Sequence, residues 1–391
     1  MNNPAVPAWR RQALTGLVAA CLAAGLALTG CAGAPLAGAP TLPDAQPPSP
    51  GPASQSTPQP VPPPEPPRPV TIAAVGDLML GTDYPQNVLP DDDGGTFLEL
   101  VTPVLQAADV AFGNLEGVLV DGGEPAKTCR NPAACYLFRS PTRYAAHLAA
   151  AGFDVLSLAN NHARDFGEQG RSSTMAALER AGMRHSGREG DVASWEQDGL
   201  RFAMIAFSPT VGSHSLLDID MAAAQVRALA QAGHDIVLVS FHGGAEGADA
   251  TRLPFGEEFY FGEARGDVVA FARAVIDAGA DLVLGHGPHV PRALELYRDR
   301  LIAYSLGNFA SYYGISVEGL KGLAPILLAT LSGNGRFLEG RIVSCVQQRP
   351  GGPRPDPSGH AYALMRSLTR EAFPGGGLDF GADGSLIRAD E

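Results

Sequence analysis

Charge is scarce in this chain, and positive charge scarcest of all. Only 18% of its 391 residues are Asp, Glu, Lys or Arg, and 28 Lys plus Arg stand against 41 Asp plus Glu. A formal charge of −13 argues against an extended phosphate-backbone footprint, so no nucleic-acid partner is expected. Cysteine is also sparse: five residues in this length exclude a disulfide-dense miniature. No second Cys/His pair sits at the spacing of a structural zinc site. Cys129 and Cys135 are the one close pair, and in an oxidising compartment they suit a small disulfide loop. Cys345 reads as a buried, inert thiol. The chain also lacks an apolar run of the ~20 residues that span a bilayer as a helix. What it has in excess is Gly and Pro, 47 and 33 residues, roughly a fifth of the chain against the ~12% usual in globular proteins.

The first residues account for part of that bias. Arg10 and Arg11 precede an apolar stretch over residues 13–28, which closes in Leu28-Thr29-Gly30-Cys31. A basic n-region, a short h-region and a small-residue site make a signal peptide. The L-T-G-C ending resembles a bacterial lipobox, which predicts lipidation at Cys31 and an exported, lipid-anchored protein of the bacterial cell envelope. The arginine pair fits a twin-arginine signal poorly. Residues 32–69 then carry fifteen of the 33 prolines and few residues able to build a core, the composition of a disordered spacer. The predicted organisation is a signal peptide over 1–31, a linker over 32–69, a folded domain over 70–347, and a C-terminal helix with a flexible tail over 348–391.

Within the folded part, short apolar runs end repeatedly in polar clusters. Residues 70–75 end in Gly76-Asp77, 109–112 in Gly113-Asn114-Leu115-Glu116, and 154–159 in Asn160-Asn161-His162. Residues 235–241 end in His242, and 281–284 in Gly285-His286-Gly287-Pro288-His289. Three of the runs follow the words AGFD, AGHD and AGAD, which read as a helix C-cap followed by the start of a strand. Continuous apolar runs bounded by turns are strands buried on both faces. The pattern predicts helix–strand units of an α/β protein.

In open α/β sheets ligands bind beyond the carboxyl ends of the strands, and all five runs deliver ligand-type side chains there. Each has an ordinary explanation alone: Asp77 as a turn cap, Glu116 as a solvated loop acid, Asn161 in a left-handed turn, a histidine as a core residue. Together Asp77, Glu116, Asn161, His242, His286 and His289 have the carboxylate, amide and imidazole character that suits one or two divalent cations. Without thiolates the set favours manganese, zinc, iron or magnesium, and does not choose among them. His147, His185, His214 and His234 read as structural or surface residues, with His185 the first candidate for an exception.

The words AVGDLMLG, FGNLEGVL, SLANNHARDFGEQG, HSGRE, VSFHGGAEG, LVLGHGPHV and LIAYSLGNF follow one another as in the CapA-type capsule-synthesis family associated with bacterial poly-γ-glutamate. That family resembles the calcineurin-type metallophosphoesterases, so the resemblance implies a four-layer α/β/β/α sandwich. It implies Asp77 as a terminal ligand of one ion, Glu116 as a bridge, Asn161 as an amide ligand, His242 and His286 on a second ion, and His289 on the first. It further implies His162 as a general acid or transition-state donor with Asp165 holding its ring. Asn114 becomes a supporting or substrate-facing amide, and Asn308 a loop support or a ligand. The implied activity is metal-assisted hydrolysis of an anionic polymer or phosphoester at the membrane, beside capsule assembly proteins. The alternative is a non-catalytic, metal-stabilised component for polymer handling or export. This chain departs from the pattern in four places, one of them the spacing from His286 to His289, which is one residue longer than in phosphoesterases. Leu78-Met79 stands where phosphoesterases have Asp-x-His, Gly243-Gly244 where many relatives carry Trp, and Gly287 where a second His is common.

Overall fold

The computed structural model describes residues 68–126 and 136–389, all within the compact unit Pro63–Glu391. The signal peptide, Cys31, nearly all of the linker and the Cys129/Cys135 pair lie outside the described residues.

The apolar runs become parallel strands in two sheets. In the first sheet, Val70–Met79, Val110–Leu115, Val155–Ser157 and Arg184–Ser186 lie side by side in parallel, and Asn308–Ser311 also pairs with the carboxyl end of Val70–Met79. Antiparallel strands Ile326–Leu331, Phe337–Val343, Ser385–Arg388 and Leu378–Phe380 extend its other side. In the second sheet, Leu200–Ser208, Ile236–His242, Leu282–His286 and Arg300–Ala303 run parallel, edged by the antiparallel Ala193–Gln197 and Leu294–Tyr297.

Alternation along the strands separates three hydrophobic cores. Ile72 and Ala74 face Phe202, Met204, Leu238 and Leu282 of the other sheet in a core between the sheets. Their neighbours Ala73 and Val75 point outward, to Tyr144, Leu148 and Leu178 of the helices Tyr144–Ala151 and Gly167–Arg180. On the far side Val237, Val239 and Val283 meet Ala222, Val226, Phe271 and Val275 of helices Ile219–Gln231 and Val268–Asp277. Side chains alternate across a strand, so a strand with both faces covered must be apolar at every position. The arrangement is the four-layer α/β/β/α sandwich. Among the described residues no helix is long and apolar enough to cross a membrane.

The Ala-Gly-x-Asp words do two jobs. Gly152 caps its helix at φ 100°, a left-handed conformation that suits glycine. The aspartate then ties neighbouring strands together. Asp154 Oδ2 accepts from the Ala111 amide, Asp235 Oδ2 from Arg201 and Asp281 Oδ2 from Val237, each at 2.8 Å. Asp109 does the same for Thr71 at 2.8 Å.

The C-terminal region needs one correction. Helix His360–Ala372 forms and packs Tyr362 and Met365 into the inter-sheet core. Its start is organised by Asp356, whose carboxylate accepts from the Ser358 and His360 amides at 3.0 and 2.9 Å. The segment expected as a flexible tail contributes strands Leu378–Phe380 and Ser385–Arg388 to the first sheet, with Leu386 fully buried. Pairing with Phe337–Val343 satisfies backbone groups that a free tail would leave to water.

Candidate metal centre

Register brings the polar strand ends into rows. Asp77 is the cross-strand partner of Asn114 on one side and Asn308 on the other, and the register of both ladders shifts at this point, as at a β-bulge that re-aims a side chain. In the second sheet His242 is the partner of His286. The inter-sheet core brings these rows together, so the site draws on both sheets.

Oxygen and nitrogen donors converge most tightly at Asp77, Glu116 and His289, whose ligand atoms lie within 4.8 Å of one another. His289 Nδ1 is 3.1 Å from Asp77 Oδ2 and 3.7 Å from Glu116 Oε2, and His286 Nδ1 is 3.4 Å from the other Asp77 oxygen. All four are buried or nearly so. Burial works against the Asp77 charge, yet hydrogen bonds from His286 and His289 hold its carboxyl below the ordinary range. Burial likewise opposes charge on His289, but Glu116, Asp77 and Glu246 push it up to about 10. His242 is held well below its ordinary value, chiefly by burial. Both ring nitrogens of His242, Nε2 of His286 and Oδ1 of Asn161 are buried without a hydrogen-bond partner. Buried polar atoms rarely go unpaired, and a set of them around two carboxylates fits a cation.

The remaining expected residues surround this group. Asn114 Nδ2 donates to Asp77 Oδ1 at 2.8 Å. Asn308 Oδ1 lies 3.0 Å from His289 Nδ1, while its amide nitrogen donates to the Ser316 and Lys321 carbonyls at 3.2 Å. It therefore supports a loop and orients a histidine. His162 Nδ1 lies 2.7 Å from Asp165 Oδ2, and its Nε2 lies 4.0 Å from Glu116 Oε1. The Phe138 ring covers the His162 imidazole at a centroid distance of 4.2 Å. His185 is elsewhere, 3.2 Å from Glu179. His214 and His234 face backbone carbonyls.

Two contributors were not anticipated. Asn160 donates to Asn114 Oδ1 at 3.1 Å and to the Leu115 carbonyl at 2.8 Å, while its own oxygen accepts from the His162 amide. It links Asp77, Asn114 and His162 into one network. Glu246 is the other, 3.8 Å from His289 Nε2; its loop carried no signal beyond the motif word itself. The glycine departures also have a cause. A Cβ on Gly243 would stand 2.2 Å from Leu216 Cδ2, and one on Gly287 would stand 2.6 Å from the Gly243 carbonyl oxygen. Gly287 thus passes too close to the Gly243 backbone for a side chain, while Gly243 is closed in by Leu216 and by the Arg265 carbonyl, 2.9 Å from the added carbon.

A buried Asp–Glu–His cluster at the carboxyl ends of strands in a four-layer sandwich defines a candidate metal-dependent site. The chain matches the bacterial capsule synthesis protein family PGA_cap over residues 71–313, more than half its length, and belongs to that family. It is 28% identical over 261 residues to the capsule biosynthesis protein CapA of Bacillus anthracis, covering 61% of this chain and 59% of that protein. It is 35% identical over 243 residues to a probable polyglutamine synthesis accessory protein of Mycobacterium tuberculosis, covering 55% and 58%. The aligned regions thus span under two thirds of these relatives. Among solved structures, a calcineurin-like phosphoesterase of Bacillus subtilis, YfkN, aligns at 13% identity and a TM-score of 0.38, over 78% of this chain and 99% of that one. A phosphatase from Mycoplasma pneumoniae aligns at 11% and 0.45, over 72% and 95%.

Proposed function

We propose that this protein is a lipid-anchored envelope component of capsule or poly-γ-glutamate metabolism whose site performs metal-assisted hydrolysis of an anionic polymer or phosphoester. The observation that carries the reading is the convergence of Asp77, Glu116 and His289 donors within 4.8 Å beside an imidazole, His162, held by Asp165. Asp77, Glu116 and His289 would hold one divalent ion, with Asn161, His242 and His286 available to a second. Bound there, such ions supply Lewis acidity and bring a water's pKa toward neutrality. Asp165 fixes the His162 ring so that Nε2 is directed to the Glu116 side of the site, the position for donating a proton to a leaving group. Asn114 and Asn160 hold Asp77 and the His162 loop in fixed relation, which keeps donor and ligands registered. Capsule assembly proteins are the expected neighbours.

One observation favours the non-catalytic alternative, in which the ion stabilises a polymer-handling protein. Leu78 and Met79, which follow Asp77 in the strand, are buried apolar side chains, so this strand end leaves one ion without an expected imidazole. The deciding experiment is elemental analysis of the purified protein followed by assays on aryl phosphomonoesters, diesters and poly-γ-glutamate, with Asn161→Ala and His242→Ala in parallel. Stoichiometric metal with turnover lost in both variants supports hydrolysis. Metal without turnover supports the alternative, and metal-free protein indifferent to both substitutions sinks the metal site. Membrane fractionation of Cys31→Ala tests the anchor, since retention at the membrane would count against lipidation.

A further inference from the structure

Glu246 stands outside the group of ligands, in the loop after strand Ile236–His242, with its carboxylate between the Arg265 and His289 side chains. Its Oε1 lies 2.9 Å from Arg265 Nη2 and its Oε2 lies 3.8 Å from His289 Nε2, with Glu246 14% exposed and the other two side chains 6% and 12%. The loop is pinned on both sides of it. Arg292, which is fully buried, donates both terminal nitrogens to Glu258 at 2.8 and 2.7 Å, and Glu258 accepts in turn from the Ala245 amide at 2.9 Å. The Gly247 amide donates to the Pro288 carbonyl at 3.1 Å, which ties the residue after Glu246 to the residue before His289.

His289 has a reason to need such a partner. Its backbone lies at φ 59°, a left-handed conformation uncommon for a residue with a side chain, so its ring direction rests on what the ring touches. Nδ1 faces Asp77, Asn308 and Glu116, and Nε2 faces Glu246. A histidine that binds a metal through one nitrogen commonly gives its other N–H to a carboxylate, which fixes the tautomer and strengthens the ligand.

We propose that Glu246 is a positioning residue for His289: its carboxylate charge, 3.8 Å from Nε2, favours the proton on that nitrogen and frees Nδ1 for a cation held beside Asp77 and Glu116, with Arg265 paired to Glu246. The inference rests on the metal-site reading above. The test is Mn2+ titration of the full-length protein by calorimetry, with Glu246→Gln and Glu246→Ala, alongside urea unfolding in chelator. Loss of ~10- to 100-fold in Mn2+ affinity is expected for Glu246→Ala. A smaller loss is expected for Glu246→Gln, whose amide oxygen keeps a partial negative charge facing Nε2–H. The glutamine variant keeps the side-chain shape and decides the matter if the alanine variant does not fold. Wild-type-like affinity in Glu246→Gln together with a folded, equally tight Glu246→Ala would overturn the assignment, as would a loss of stability in chelator without any loss of affinity. Wild-type protein that takes up no Mn2+ overturns the metal site as well, so the two failures are told apart.

Discussion

Taking metal-free protein from pH 6.5 to pH 10 removes a proton that the fold uses. Burial disfavours the charged His289 ring, but the Glu116, Asp77 and Glu246 carboxylates outweigh it and push the imidazole from its ordinary 6.5 up to about 10. A group with a higher pKa folded than unfolded stabilises the fold through its bound proton. That stability is complete below about pH 6.5 and is lost as pH rises through about 10. The gap corresponds to about 5 kcal/mol as an upper bound, of which about 3 kcal/mol survives at pH 8. The assay is urea unfolding of the full-length protein in chelator at closely spaced pH values, with His289→Gln alongside to subtract other titrating groups. Wild-type stability should fall steeply across the window, and the variant's should stay flatter. Saturation with Mn2+ at a hundred times Kd should add about 2.7 kcal/mol, with tighter binding at higher pH because the cation displaces the His289 proton. Parallel pH profiles for the two proteins in chelator would refute the carboxylate-trapped imidazole.

Four further outcomes follow from packing and charge. A Cβ at Gly76 would stand 1.9 Å from the Gly307 carbonyl oxygen, which accepts from the Asp77 amide at 2.9 Å. Gly76→Ala should therefore cost ~3 kcal/mol or more in denaturant unfolding and weaken Mn2+ binding. Gly199→Ala, at φ 78° with nothing near the added carbon, should cost only ~1 kcal/mol and leave binding intact. Asp165→Asn removes the anion beside His162 Nδ1 while retaining an oxygen for the Phe138 amide. Under the hydrolytic reading kcat should drop roughly 100-fold with Mn2+ affinity unchanged. Burial pushes the Asp281 carboxyl up to about 6 despite Arg300. For an acid this means the folded state holds its proton more tightly, so stability falls as pH rises from about 3.8 through about 6. The fall is about 3 kcal/mol at most, and urea titrations of Asp281→Asn should lack it.

The strands were legible because burial on both faces leaves a mark: residues such as Ile72, Ala73, Ala74 and Val75 are all apolar, whichever core each enters. The same property hid the number of sheets, since one doubly wound sheet or two stacked ones demand equally apolar runs. Strand order is decided by pairings far apart in the chain, such as Val70–Met79 with Ile326–Leu331. The Ala-Gly-x-Asp words were readable as helix ends, but the cross-strand hydrogen bonds of Asp154, Asp235 and Asp281 depend on which strand lies next door. At the site, residue type at the strand ends was enough to nominate Asp77, Glu116 and the histidines. Asn160 and Asn161 are the same residue side by side, and only backbone direction separates the one that braces Asn114 and His162 from the one left with a bare oxygen. Glu246 lies in a Gly-rich turn where an acid is ordinarily solvated, and its contact with His289 arises between residues from two different strand ends.

That division between strand ends also explains why the site is sensitive to the whole fold. Asp77, Asn114 and Asn308 occupy one row of the first sheet, His242 and His286 one row of the second, and His289 reaches between them. Nothing local fixes the separation of the two rows. It is set by the inter-sheet core of Ile72, Phe112, Phe202, Leu238 and Leu282. A cation binding across the rows would therefore act as a cross-link between sheets, and its binding free energy would appear as stability of the sandwich. The converse also holds: a cavity opened in the inter-sheet core, as by Phe202→Ala, loosens the spacing on which the ligands depend. Such a variant should lose ~3–5 kcal/mol of stability and lose Mn2+ affinity with it, although Phe202 lies in a core that contains none of the ligands.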